Sequence, residues 1–204
     1  MIAILDYGRG NIFSIANALR KLEVEFKIEE SPLNLKSYDK IILPGVGAFK
    51  DAMKQLDNFK FTETIKEFAM KEKPILGICL GMQILASKSY EYGDTIGLDL
   101  IEGEVKALPN DASLKVPNIG WRKLILSKKN KLQGLEAENM MYFVHSYGFY
   151  ANQDSNIIAK IKFGTHDIAA IVKNKNILGC QFHPEKSGVS GLRLLNWFCK
   201  DFKG

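Results

Sequence analysis

Short apolar runs alternate with amphipathic stretches through the first ninety residues of this chain. Residues 2–5 form one such run, and Ile12, Ile15, Leu19 and Leu22 follow at steps of three, four and three. That spacing places them on one helical face, with Asn11 positioned to cap it. Val24, Phe26 and Ile28 then alternate with Glu25 and Lys27, the period of a half-buried strand. Phe49, Ala52, Met53 and Leu56 make a second helical stripe, and Ile65, Phe68 and Ala69 a third. Residues 75–78 are apolar or small throughout and predict a buried strand, and 80–88 read as the helix after it. Strands alternating with helices predict parallel pairing through right-handed crossovers.

Beyond residue 103 the pattern turns β-rich, with strands expected at 124–126, 141–150, 157–162, 168–172 and 177–182. A closing helix carries Leu192, Leu195, Phe198 and Phe202 on one side. Neither a low-complexity linker nor an internal repeat interrupts the chain. The pattern therefore predicts an α/β fold: a flavodoxin-like open, mostly parallel sheet flanked by helices, with a β-rich extension. Residues 1–204 are expected to form a single domain. Active sites in such sheets gather at the carboxyl ends of strands.

Three strand ends carry candidate chemistry. Residues 75–78 run directly into Cys79 and then into the next element, with Gly77 and Gly81 two residues to either side. A strand that becomes a helix within one residue bends sharply, and glycines relieve the crowding. This is the nucleophile-elbow design with Cys in place of Ser. A helix N-terminus there favours thiolate. The competing reading is a buried structural thiol, the commoner fate of a free Cys.

The second strand end is at 177–182, which leads into His183, with Pro184 stiffening the turn and Glu185 two residues on. A thiolate attacking an amide needs a base, and the imidazole needs an acceptor to orient it. Cys79, His183 and Glu185 supply those roles. The third is at 40–43, which opens into Pro44-Gly45-Val46-Gly47 before a helix. Glycines there let backbone N–H groups face a ligand, so Gly45, Val46 and Gly47, with the N–H of Leu80, are candidate oxyanion donors. An ordinary strand-to-helix turn explains that segment equally well.

Composition narrows the class. At 204 residues and 46% hydrophobic, the chain is long enough for a well-buried core. No run reaches the ~18 apolar residues of a membrane span. The chain enters a strand at once, without a basic leader, so a cytoplasmic protein is expected. Three cysteines (79, 180 and 199) are few and odd in number, which fits a reducing compartment. No Cys/His spacing suits zinc, and neither metal nor cofactor is expected. The net charge is +5, with a local cluster at Arg122, Lys123, Lys128, Lys129 and Lys131. A solvated hairpin accounts for it better than a steering patch. Aromatics do not interleave with the basic residues, so nucleic acid is not expected as a partner.

Seven collinear strings complete the picture. They are Asp6-Tyr7-Gly8-x-Gly10-Asn11, Pro44-Gly45-Val46-Gly47-Ala48-Phe49, Gly81-Met82-Gln83, Leu100-Ile101-Glu102-Gly103, Gly120-Trp121, Tyr142-Phe143-Val144-His145-Ser146-Tyr147 and His183-Pro184-Glu185-Lys186-Ser187. Together the chain resembles the class I (triad) glutamine amidotransferase family over essentially its whole length. Within that family it is most similar to the glutaminase subunits of imidazole glycerol phosphate synthase, in histidine biosynthesis.

The resemblance implies a glutaminase that passes ammonia to a separate (β/α)8-barrel synthase subunit in a heterodimer. That subunit would convert PRFAR to imidazole glycerol phosphate and AICAR. It also implies that Gln83, Glu91, Ser146 and Tyr147 hold glutamine, and that Asn11, Trp121 and Lys186 face the partner. The family pattern Pro-His-Met-Gly-Trp-Asn reads here Pro117-Asn118-Ile119-Gly120-Trp121-Arg122, so its His and Asn are replaced on the partner side. Two other readings stay open: a related glutaminase serving a sugar amidotransferase for surface polysaccharides, and a catalytically inactive binding module.

Overall fold

The computed structural model describes residues 1–110, 114–127, 135 and 139–203. The first half alternates as the sequence pattern predicts: β1 (Ile2–Leu5), α1 (Ile12–Lys21), β2 (Phe26–Glu29), β3 (Lys40–Leu43), α2 (Phe49–Asn58), α3 (Phe61–Met70), β4 (Ile75–Ile78) and α4 (Leu80–Gln83). Short strands β5 (Lys88–Ser89) and β6 (Thr95–Ile96) follow, then β7 (Gly103–Ala107), β8 (Asn118–Lys123) and β9 (Ile125–Leu126). The remainder is β10 (Met140–His145), β11 (Tyr147–Ala151), β12 (Ile157–Phe163), β13 (His166–Asn174), β14 (Ile177–Cys180) and α5 (Gly188–Lys200).

The main sheet has the order β2-β1-β3-β4-β14-β13-β12-β9. Its first five strands are mutually parallel, and the last three pair antiparallel. Both faces of the parallel part are covered at β1, β3, β4 and β14, which is why those strands read as apolar runs, whereas the edge strand β2 alternates and is half-exposed. Ile2, Ile4, Ile42, Leu76 and Ile78 pack with Ile15 and Leu19 of α1 and Leu195 and Phe198 of α5. The alternate positions Ala3, Leu5, Ile41, Leu43 and Ile75 pack with Phe49 and Leu56 of α2 and Ile65 and Phe68 of α3. A second sheet, β11-β7-β5-β6, and the two-stranded β10-β8 pair form the β-rich extension.

Four expectations are corrected. The helix after Cys79 is a single turn, Leu80–Gln83, not a helix through residue 88. Ile84, Leu85 and Ala86 are fully buried, and Ser87 pairs with Gly103 instead of continuing the turn. The run 141–150 is two strands parted at Ser146, whose carbonyl accepts from Leu108. The strand at 124–126 is only β9, and the long preceding strand β8 carries Trp121. Asn11 occupies the N-cap of α1, but its side chain makes no capping bond. In the basic cluster, Arg122 and Lys123 end β8, while Lys128, Lys129 and Lys131 lie outside the described residues.

Glycine 81 fixes how closely β3 approaches the Cys79 bend. A Cβ there would sit 1.9 Å from the carbonyl oxygen of Leu43, which is backbone and cannot swing aside. Gly81→Ala is expected to destabilise the protein by about 3 kcal/mol or more, since overpacking against backbone is relieved only by moving strands. Urea unfolding of both proteins measures it, and a loss under about 1 kcal/mol would show that the β3–elbow contact yields easily.

Candidate active site

β4 ends at Ile78, and Cys79 turns the chain with φ 56° and ψ −111°. A non-glycine residue at positive φ is uncommon and costs about 1–3 kcal/mol, so neighbouring contacts must impose it. The Cys79 N–H donates to Cys180 O of β14 at 2.8 Å, and the Cys79 carbonyl accepts from Met82 and Gln83. The elbow is therefore present as expected. Because α4 is one turn long, its macrodipole contributes little. The sulfur's surroundings come from side chains instead: it accepts a hydrogen bond from Gln181 Nε2 at 3.8 Å and lies 3.9 Å from Val144 O.

β14 pairs parallel with β4, with Cys180 opposite Ile78. That register carries the residues after each strand to the same end of the sheet. His183 is held there by its backbone. Its N–H donates to Tyr142 O at 3.0 Å, and its carbonyl accepts from Ser187 Oγ at 2.6 Å. Its Nδ1 lies 2.8 Å from Glu185 Oε1. Carboxylate acceptance puts the proton on Nδ1, leaving Nε2 as the nitrogen for the other ring partner, the Cys79 thiol. Burial alone would push the imidazole down. The hydrogen bonds and charges of Cys79 and Glu185 outweigh it and hold His183 up, at about 10.

These groups meet at a cavity of about 310 Å³, near the small end of the roughly 300–1,000 Å³ typical of ligand pockets. Of the residues singled out in the sequence, Val46, Gly47, Cys79, Leu80, Gln83, Glu91, Ser146, Tyr147 and His183 line it. Glu185 stands behind His183 with its side chain fully buried. Gly45 does not line the cavity; it packs against the elbow, where a Cβ would lie 2.7 Å from Gly81 N. Tyr7, fully buried, donates from its hydroxyl to Pro44 O at 2.6 Å and tethers the start of that loop.

Glu91 is buried to 8% exposure, and its Oε2 accepts the Phe49 N–H at the start of α2 at 2.6 Å. Burial raises its pKa, the Phe49 bond partly opposes this, and Asp51 adds to the rise. Gln83 spends both amide hydrogens, on Tyr147 O at 2.9 Å and Gln181 Oε1 at 3.0 Å. Its side-chain oxygen is what remains for a ligand. The interface candidates stand apart from this cluster: Asn11 is half-buried, Lys186 exposed, and Trp121 is 47% exposed with its ring 5.9 Å from that of Tyr142.

Three cavity residues escaped the sequence reading as site residues: Pro117, Val144 and His145. The outward alternation of Val144 on β10 was the available signal, because a Val exposed between buried Phe143 and His145 faces something other than core. Gln181, which touches the sulfur, was missed as well. Asn118, at the position where the family pattern carries His, is fully buried and donates through Nδ2 to His145 Nε2 at 2.9 Å.

The Glutamine amidotransferase class-I family model matches residues 3–202. This chain belongs to that family. As a class I glutamine amidotransferase, it is similar to the imidazole glycerol phosphate synthase subunit HisH of Sulfurimonas denitrificans, 45% identical over 203 residues that cover 98% of each chain. It is likewise 45% identical over 196 residues to the subunit of that name from Oceanobacillus iheyensis, covering 96% of each. Among solved structures, a glutamine amidotransferase superposes with TM-score 0.76 at 20% identity, covering 97% of this chain and 96% of the other. PurLQS from Thermotoga maritima gives 0.75 at 22% identity with the same coverage. At those identities the two structures speak for the fold alone. Among the described residues, no helix is long and apolar enough to cross a membrane, and no group of His, Cys, Asp or Glu could hold a metal ion.

The amidotransferase's second buried imidazole predicts a measurable pH effect. Burial pushes His145 down to about 4, with the Tyr147 carbonyl opposing and Arg122 and His183 contributing further lowering. The unfolded chain, with an ordinary His near 6.5, binds that proton first. Stability is therefore intact above pH 6.5 and is lost as pH falls through that value toward 4. His145→Gln is expected to make the stability drop between pH 7 and pH 4.5 smaller by about 2 kcal/mol. Urea melts of both proteins at the two pH values test this, and equal drops would place the proton elsewhere.

Proposed function

We propose that this amidotransferase is the glutaminase subunit of an imidazole glycerol phosphate synthase. In this reading, glutamine enters the cavity with its side-chain carboxamide over Cys79. His183, already protonated beside the Cys79 sulfur, keeps that proton as the thiolate attacks the carboxamide carbon. The oxyanion is met by backbone N–H groups of Leu80 and of the Gly45–Val46–Gly47 loop. The C–N bond breaks, His183 returns the proton to the leaving nitrogen, and ammonia departs. Water, deprotonated by His183, then cleaves the γ-glutamyl thioester to glutamate and regenerates Cys79. Glu185 keeps the imidazole in the tautomer that faces the sulfur. Gln83, Glu91, Ser146 and Tyr147 hold the α-amino and α-carboxylate ends, with Glu91 opposite the ammonium.

One observation carries the reading: Cys79 and a buried imidazole whose Nδ1 is held by Glu185 line the same cavity, which is sized for a small ligand. Full-length relatives named as subunits of imidazole glycerol phosphate synthase support the histidine pathway over a sugar amidotransferase. Residues 1–204 act as one catalytic unit in the cytoplasm. Ammonia passes to a separate (β/α)8-barrel synthase subunit, which converts PRFAR to imidazole glycerol phosphate and AICAR. The partner docks over Asn11, Trp121 and Lys186, where the exposed Trp121 ring is the aromatic anchor. Neither metal nor organic cofactor takes part.

Purifying the chain with a histidine-pathway synthase subunit and measuring glutamine-dependent turnover tests the whole reading. Absence of stimulation there, with stimulation by a sugar-aminating synthase, would transfer the chain to the other pathway. Cys79→Ala is expected to abolish glutamine-dependent synthesis by the complex while ammonia-dependent synthesis persists. Loss of both would mean that Cys79 has a structural task. Trp121→Ala is expected to weaken subunit association by about 2 kcal/mol or more, roughly thirtyfold in Kd, read by titration calorimetry.

A further inference from the structure

A single backbone carbonyl orders a chain of buried amides that ends on the candidate nucleophile. Tyr147 O can only accept, and two side chains point hydrogens at it: Gln83 Nε2 at 2.9 Å and His145 Nδ1 at 2.8 Å. Every other polarity in the chain follows from that fact. Gln83 turns its NH2 toward Tyr147, so its second hydrogen meets Gln181 at 3.0 Å, and the Gln181 atom there must be the oxygen. Gln181 must then present its own NH2 on the far side, where it meets Cys79 Sγ at 3.8 Å. In the other direction, the proton on His145 Nδ1 leaves Nε2 as an acceptor, so Asn118 faces it with its NH2 at 2.9 Å. Asn118 Oδ1 is left without a hydrogen-bond partner among the described residues.

The four side chains are removed from water: Asn118 and Gln181 completely, Gln83 at 5% and His145 at 6% exposure. In such surroundings each amide orientation is costly to reverse, because a flip would set donor against donor or acceptor against acceptor. Amide hydrogens do not leave nitrogen at neutral pH, so the chain moves no proton. Its effect at Cys79 is a fixed dipole, an N–H aimed at the sulfur.

We propose that Gln181 is a positioning residue for the Cys79 nucleophile, and that its donating orientation is imposed through Gln83 by the Tyr147 carbonyl. The sulfur at this elbow has the His183 imidazole on one side and an N–H donor on the other. Negative charge on sulfur opposite the protonated imidazole is met by the Gln181 amide, and the sulfur is held in place for attack. The same carbonyl links Gln181 to β8 through His145 and Asn118, three residues from Trp121. This proposal deepens the glutaminase reading and rests on it.

The test compares wild type with Gln181→Met, which keeps volume and burial but has no amide, and with Gln181→Glu, which sets a carboxylate oxygen where the N–H stood. Each is assayed as the complex with its synthase subunit. The first readout is alkylation of Cys79 by iodoacetamide at pH 7, followed by mass spectrometry of the Cys79 peptide so that Cys180 and Cys199 do not contribute. The second is glutaminase kinetics. Gln181→Met is expected to slow alkylation about tenfold and to lower kcat by at least that factor, with KM for glutamine within about twofold. Gln181→Glu is expected to be slower still.

A merely structural Gln181 predicts the reverse order, with the apolar Met tolerated and both rates kept. A folded Gln181→Met with wild-type alkylation and kcat overturns the proposal. Should Gln181→Met fail to fold, Gln181→Asn, which withdraws the amide by one methylene, is read the same way. Labelling of wild-type Cys79 by a glutamine-mimicking electrophile separates the two levels. If wild type labels while the variants behave normally, the positioning role fails alone. If wild type does not label, the glutaminase reading itself fails.

Discussion

The bend at Cys79 is the constraint on which the rest of the structure hangs. A residue at φ 56° between a buried strand and a single turn of helix is held only by what surrounds it. Here those surroundings are backbone on every side. Gly77 lets the chain after the bend fold back within reach of its own strand, since a Cβ there would lie 2.5 Å from Gly81 O. Gly81 lets β3 close against the turn, and the Cys79 N–H is tied to Cys180 on the neighbouring strand. Few side chains take part, so the geometry is rigid, and the sulfur's position is fixed before any ligand arrives.

That rigidity is used through sheet pairing. Parallel alignment of β4 with β14 puts the residues following Ile78 and Cys180 side by side, although they are about a hundred positions apart in the chain. Cys79 and Gln181 thereby become neighbours, and His183 arrives two residues later. The β8–β10 pair then closes the cavity from the β-rich side, with Val144 O beside the sulfur and Tyr142 O receiving the His183 N–H. The parallel core holds the Cys79 sulfur and the His183 imidazole, and the extension supplies the wall that shields them from water.

Much of this was legible in the sequence because each signal was one of type and spacing. Apolar runs of four marked strands covered on both faces, and stripes at three and four marked α1, α2 and α3. Cys between two glycines, and His two residues before Glu, each named a role before any geometry was known. What was not legible failed for identifiable reasons. The helix after Cys79 could not be bounded, because residues 84–86 are apolar on every side and periodicity carries no information where everything is buried. β8 alternates Asn, Ile, Gly, Trp, Arg and Lys, a half-exposed strand whose outward residues include the Ile and Trp, so the usual apolar-in pattern is inverted. Gln181 looked like filler in an apolar run. Only its full burial and its partners reveal it, and a buried amide is informative for that reason: without partners it would cost about 1–3 kcal/mol.

The departure at Asn118 is intelligible in the same terms. Whatever stands at that position must give a hydrogen to His145 Nε2, because the other ring nitrogen is committed to Tyr147 O. A neutral His in the proper tautomer does this with one N–H, and Asn does it with its amide, so the exchange preserves the one property the site requires. The difference lies on the far side. A His would offer a ring nitrogen there, whereas Asn118 turns a carbonyl oxygen into a space where it finds no donor among the described residues. An unmet acceptor at zero exposure is a strain on β8 and not on the cavity, and β8 is the strand that presents Ile119 and Trp121 to solvent. The substitution therefore leaves the groups around Cys79 as they are and shifts its cost to the surface on which a partner subunit is proposed to dock.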